Sequence, residues 1–244
     1  MSYLERYLAG EHEQVWAELR ALGADVRREP VRVDARAVAA ETMRRVRRNL
    51  ERIVAKLEAA GAEFGVYPDG TLPSYTLGPL TPPSAATRTD AAALDERTGP
   101  LPLSLEAFWN EVGSVDLVAR YPSAPELLDP LVVDPPEGPL TELDDWEADD
   151  GWGDDDDDPD RQGRFAAPLA PDYLHKDNTS GGEAYGLYLP DPGADFALLN
   201  ERHGLDFVPY LRLAILRWGG FPGLDGRAER WELAASLAEG LEPF

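Results

Sequence analysis

Apolar residues recur at helical spacing through the first sixty positions. Leu4, Tyr7, Leu8, Val15, Trp16, Leu19 and Leu22 predict helix over 3–22, with Gly10 able to divide it and Gly23 as a stop. A longer helix is expected from an N-cap at Asp34 to Gly61, where Val38, Val46, Leu50, Ile53, Val54 and Leu57 make one stripe. From residue 64 the period shortens. Residues 64–80 read as two short strands around the turn Pro68-Asp69-Gly70. Residues 81–100, rich in Pro, Thr, Ala and Asp, read as a connector with a helical turn at Ala91 to Glu96. Ser104 is placed as the N-cap of a short helix, Leu105 to Val112, that Gly113 stops. Val115 to Ala119 and Leu131 to Val133 alternate as strands, and strand character resumes at Phe165 to Leu169.

The most informative stretch runs from Pro168 to Leu224. It holds a polar turn at residues 175–182, two short apolar runs (Ala184 to Leu189 and Phe196 to Leu199), and an amphipathic helix opened by Asp206 and closed by Gly219-Gly220. A final helix is expected over Gly226 to Glu239, burying Trp231, Leu233 and Leu237. Strands do not alternate regularly with crossover helices. The expected class is α+β: a mostly antiparallel sheet with helices packed on one face, preceded by an N-terminal helical pair. The expected division is a helical region over 1–66 and an α+β domain over 67–244, carrying an acidic insertion at 137–160.

Charge changes this picture more than composition does. The net charge of −23 is uneven: from Glu137 to Asp160 there are three Glu, ten Asp and no Lys or Arg, so that window carries −13 and leaves −10 for the rest. Phosphate backbones repel such a body, so direct nucleic-acid binding is not expected, whereas a basic protein partner is attracted and its encounter hastened. The basic face Arg44, Arg45, Arg47, Arg48, Arg52 and Lys56 runs along the second helix without aromatic interleaving. It reads as a solvated face, or one met by the protein's own acids, ahead of a nucleic-acid site. The chain has no cysteine, which excludes disulfides and thiolate metal sites, and no apolar run near the ~20 residues a membrane span needs. Without the basic flank and apolar core of a secretory signal after Met1, the expectation is a cytoplasmic protein with no membrane role.

The candidate chemistry falls in two places. Asp154, Asp155, Asp156, Asp157 and Asp158 lack the alternate spacing and distal Glu of a calcium loop, so no metal is expected there. They read as a solvated loop or as a docking surface for a cationic partner, with Trp146 and Trp152 as aromatic anchors. The second place is the turn with His175, Asp177, Asn178, Ser180, Gly181 and Gly182. Asn178 and the two glycines suit positive backbone torsions, with Asp177 or Ser180 bonding loop amides; a ligand or partner contact is the alternative. His12, His175 and His203 are scattered, without zinc spacing; no GxSxG elbow or P-loop occurs, and Ser180-Gly181-Gly182 lacks the following Lys. No cofactor is expected.

Leu101-Pro102-Leu103-Ser104-Leu105-Glu106-Ala107-Phe108-Trp109, followed by Val112-Gly113-Ser114-Val115, resembles the opening of a SUKH-superfamily (Smi/Knr-like) domain. Asp129-Pro130-Leu131-Val132-Val133, Ala170-Pro171-Asp172, Ser180-Gly181-Gly182 through Tyr185, and Phe207-Val208-Pro209-Tyr210-Leu211 extend the resemblance over roughly 100–224. It implies an α+β domain without catalytic residues, and for many such domains an immunity role: binding and neutralising a toxin, often a nuclease. The leading expectation is therefore a non-enzymatic acidic binding protein, of bacterial immunity type, that recognises a basic toxin domain. One alternative is a small-molecule-binding or hydrolytic enzyme with its site in the 175–182 loop. Another is a structural or regulatory module that self-associates through its N-terminal helices.

Overall fold

The computed structural model describes residues 1–73, 78–121, 129–148, 163–226 and 232–244. Helices α1 (Tyr3–Leu8) and α2 (His12–Ala21) divide at Gly10, whose φ of +105° no helix continues through. Ser2 caps α1 in a reciprocal box with Glu5. A 3-10 turn (Gly23–Arg27) leads to α3 (Val31–Ala59), which buries Val38, Val46, Leu50, Ile53 and Leu57, with Ala35, Ala39 and Met43 on the same side. Asp34 does not open this helix, as the sequence suggests. It sits in the first turn of α3, and its carboxylate accepts the Tyr3 and Leu4 amides of α1. A capping side chain is legible as a type, but here it serves a neighbouring helix.

The basic face of α3 is met largely by the protein's own acids and carbonyls. Arg45 and Arg48 pair with Glu41 and Glu242, Arg44 with Glu41, and Arg47 with Glu51. Arg52 donates to the Gly240 carbonyl. Lys56 donates to the carbonyls of Ser236, Leu237 and Glu239, at the C-terminal end of α9 (Glu232–Ala238). A cation there meets unpaired helix carbonyls and the negative end of the helix dipole. Asn49 and Glu242 hold the chain that follows, and Phe244 ends buried in the core.

Strand β1 (Glu63–Phe64) does not form a hairpin across Pro68-Asp69-Gly70 with β2 (Leu80–Thr81), as the sequence pattern suggests. Beyond β2 lies α4 (Ala85–Thr98), a full helix capped by Ser84 where only a turn is expected. Next is α5 (Leu103–Glu111), for which Pro102, not Ser104, is the N-cap; Ser104 lies inside it, buried, its amide bonded to the Ala194 carbonyl. Then β2 pairs with β3 (Ser114–Asp116), and β3 pairs on its other side with β5 (Val132–Val133). Strand β4 (Ala119–Arg120) pairs with β1, with Arg120 bonded to Glu63 across the ladder. Gly113 takes φ +92° where β3 begins, and a Cβ on it would lie 2.1 Å from the Thr81 carbonyl oxygen, so no other residue lets β2 approach.

The acidic insertion begins as structure. Helix α6 (Glu137–Ala148) packs Leu143 against the core beside β6 (Phe165–Ala170). β6 pairs antiparallel with β7 (Tyr185–Leu189), with a bulge at Pro168 to Ala170. A short helix α7 (Tyr173–Lys176) lies between them. Helix α8 (Phe207–Leu211) continues as a π-helical turn through Arg217 and stops at Gly219 and Gly220, both with positive φ. Residue 231, expected in the core, is outside the described residues.

The fold is α+β with antiparallel pairing throughout the described residues, distributed over three small sheets rather than one. One buried cluster runs from Tyr7 through Leu50, Phe108, Val115, Leu187 and Tyr210 to Phe244, so residues 1–66 and 67–244 share it. Among the described residues no helix is long and apolar enough to cross a membrane.

Candidate functional site

The register of β3 against β5 sets the floor of a cavity. Asp116 stands opposite Val132, and strand alternation carried one residue past β5 puts Asp134 on the same face as its diagonal neighbour; both line the cavity. Val118 continues the same alternation. Residues 65–67, after β1, and the 171–184 segment complete the walls of a cavity of about 540 Å³. That size suits a small molecule or one large side chain.

The 171–184 segment is set by Asp172. Its backbone is extended at the N-cap of α7, and one carboxylate oxygen accepts the Leu174 amide at 2.8 Å while the other holds His175 Nδ1. Burial works against the Asp172 charge, yet the hydrogen bonds from His175 and the Leu174 amide outweigh it and hold this carboxyl below the usual range. Gly182, at φ +93°, passes so close that a Cβ would lie 2.5 Å from Asp172 Oδ1. Beyond α7, Asn178 adopts φ +57° and donates to Asp69 at 2.9 Å and to Thr71 at 3.0 Å, which ties the turn to the Pro68-Asp69-Gly70 loop.

Lys176 is fully buried. Its ammonium bonds Asp129 at 2.6 Å and lies 4.6 Å from the centre of the Tyr185 ring, whose hydroxyl also donates to Asp129. Among the described residues the floor carboxyls have no such match. Burial and the neighbouring Asp116 charge raise Asp134 to about 7, against the opposing pull of Lys176. Asp116 is raised too, by burial, although it accepts the Val118 amide at 2.9 Å and feels Lys176. Asp177 is raised by burial and by Asp129.

Of the residues singled out in the sequence, His175, Asn178 and Ser180 line this cavity. Gly181 and Gly182 take the positive torsions expected of them. The bond to a loop amide comes from Asp172 rather than from Asp177 or Ser180. Trp146 is half-buried and packs on Phe165 at 5.6 Å, at the edge of the core. Its neighbours Asp144 and Glu147 pair with Arg97. Trp152 and Asp154 to Asp158 lie outside the described residues. His12 accepts from Arg45 against the Tyr7 ring, and His203 is tied to Glu201, so neither shares the cavity.

Sequence reading passes over Asp116, Asp134, Asp172 and Lys176. The signals were present: an acid at the end of each of two apolar strands, and Asp172 three positions before His175, the spacing of a helix-capping pair.

The arrangement has two chemical capacities. His175, its Nδ1 fixed by Asp172, is oriented as a general base is. Among the described residues, however, no hydroxyl is hydrogen-bonded to its ring. The floor carboxyls favour a positive or hydrogen-bonding occupant. Among the described residues no group of three or more His, Asp or Glu is placed to hold a metal ion.

No family model matches the chain, and neither the curated proteins nor the solved structures contain a match to it.

Proposed function

We propose that this chain is a non-enzymatic recognition protein of the cytoplasm that binds a basic protein partner, in the manner that the SUKH resemblance implies for immunity proteins. The observation that carries the proposal is the pairing of arginines with the chain's own acids. Arg6, Arg20, Arg36, Arg45, Arg48, Arg97 and Arg120 are each engaged by the chain's own acids. The surplus of −23 is thus left to act outward, on a surface that includes the exposed acids of α6. Such a field accelerates association with a basic surface and rejects phosphate.

The test is titration with a basic, nuclease-type toxin domain at rising ionic strength. Binding that weakens steeply with salt, together with inhibition of the toxin, is expected. Salt-independent binding, or none to any basic toxin domain, counts against the proposal.

The Asp172-oriented His175 in a cavity favours a second reading, a small-molecule-binding or hydrolytic protein. Turnover of an ester or amide by the purified chain, abolished in His175→Ala, would establish it.

A further inference from the structure

We infer that the cavity between β3, β5 and the 171–184 segment binds an organic cation: an ammonium or guanidinium group carried on a short alkyl chain. This goes beyond the partner proposed above and stands without it.

Charge balance at the cavity gives the sign of the occupant. The Lys176 ammonium is matched by Asp129, and His175 by Asp172. Asp116 and Asp134 remain on the floor, and among the described residues neither takes part in an ion pair. Two carboxylates on one face of a buried ladder resist joint ionisation, because each is short of water and each repels the other. A cation placed between them removes both costs. An anion would add to the repulsion.

The walls give the rest of the ligand. Val66, Val118, Val132, Pro171 and Ala184 present apolar surface, suited to methylene groups rather than to a fully hydrated ion. A lone metal ion does not suit a space of about 540 Å³. Diagonal positions on paired strands lie roughly 7–8 Å apart, which an extended guanidinium or a diamine spans better than a metal ion does.

The occupant should also move protons. Asp134 faces Asp116 from β3 and Lys176 from α7, with His175, Asp172, Asp177 and Asp129 around them. Near pH 7 it is partly protonated, and an arriving cation would expel that proton.

The experiment is calorimetric titration of the full chain with agmatine at pH 7, in two buffers of different ionisation enthalpy, with glucose and glutarate as neutral and anionic comparators. Expected are saturable agmatine binding, a buffer-dependent heat that reports release of a fraction of a proton, and no binding of glutarate. Asp134→Asn and Asp116→Asn should each weaken agmatine by about tenfold or more, the worth of a charge-assisted hydrogen bond. Absence of agmatine binding at millimolar concentration, unchanged affinity in folded variants, or preference for glucose or glutarate would overturn the inference. Should either variant fail to fold, the native protein decides: glucose or glutarate bound as tightly as agmatine overturns it. If agmatine binds and no basic protein does, the inference stands and the partner proposal falls.

Discussion

Asn49 and Glu242 exchange hydrogen bonds in both directions. The Asn49 Nδ2 donates to the Glu242 carbonyl at 2.8 Å, and the Glu242 amide donates to Asn49 Oδ1 at 2.8 Å. A buried amide in the middle of α3 thus acts as a strand-like partner for the C-terminal segment. Asn49→Leu fills the volume but leaves the half-buried Glu242 amide and carbonyl without their partner. The expected loss is about 2 kcal/mol, the low end of ~1–3 kcal/mol for each orphaned group because water can reach both. Urea unfolding measures it, and hydrogen exchange at Glu242 should accelerate ahead of the rest of the core.

Two buried carboxyls tie stability to pH in one direction. Asp195, enclosed beside α5 and α8, is raised to about 7 by burial, against the Val208 amide that donates to it. Asp134 is raised to about 7 as well. An acid whose folded pKa exceeds its unfolded value binds its proton more tightly when folded. The unfolded chain releases that proton first, so stability falls as pH rises from about 4 to about 7. Asp195→Asn retains an oxygen for the Val208 amide and cannot ionise. Its melting temperature should therefore exceed that of the native chain at pH 8 and lose that advantage at pH 4. An equal shift at both pH values would contradict this.

Ion pairs on the surface of α3 and α1 act in the opposite sense. Hydrogen bonds from Arg6 hold Glu18 at about 2, and those from Arg48 lower Glu242. Their contribution is present above the ordinary glutamate range and is lost as pH falls through the folded values. Below about pH 4 the native chain should lose stability, and Glu242→Gln should flatten that limb of the melting profile.

Trp146 separates the docking idea from the packing one. Its ring lies against Phe165 and covers the edge of the core beside Leu143. Trp146→Ala should cost about 2 kcal/mol, below the ~3–5 kcal/mol of a fully buried aromatic because part of the ring stays in water. Guanidinium unfolding checks this. Loss of partner affinity with unchanged stability would instead make it an anchor.

The helical half of the fold was legible because stripes such as Val46, Leu50, Ile53 and Leu57 repeat over many turns, and glycines with positive φ close them. The sheets were legible only in part: β6 and β7 show as apolar runs, whereas strands of two or three residues carry almost no period. Their partners are set by distant contacts, so β1 finds β4 and β2 finds β3. Helix α6 was hidden by its charge: Leu140, Leu143 and Trp146 fall at spacings of three, but the acids between them read as a loop. Of the site, the 175–182 turn could be seen in the chain. Its floor could not, since Asp116 and Asp134 meet only through the register of β3 with β5.

The Lys176–Asp129 pair under the cavity has a sharper expectation. Both groups are almost fully out of water, the Tyr185 ring and hydroxyl complete their shell, and Asp129 sits at φ +50°. A buried pair is weak evidence of net stabilisation, but breaking one leaves an uncompensated charge at a cost of about 3–5 kcal/mol. Lys176→Met should therefore destabilise by that order. Asp129→Asn in the same chain removes the stranded charge, still offers an oxygen to Tyr185, and tolerates the positive φ as few residues do. The double variant should regain most of the loss, giving a coupling energy of about 2 kcal/mol or more in a double-mutant cycle. Additive losses would mean that the ammonium acts through neighbours other than Asp129, the Tyr185 ring among them. The cation-binding test would then need the floor carboxyls re-examined without a charged neighbour beneath them.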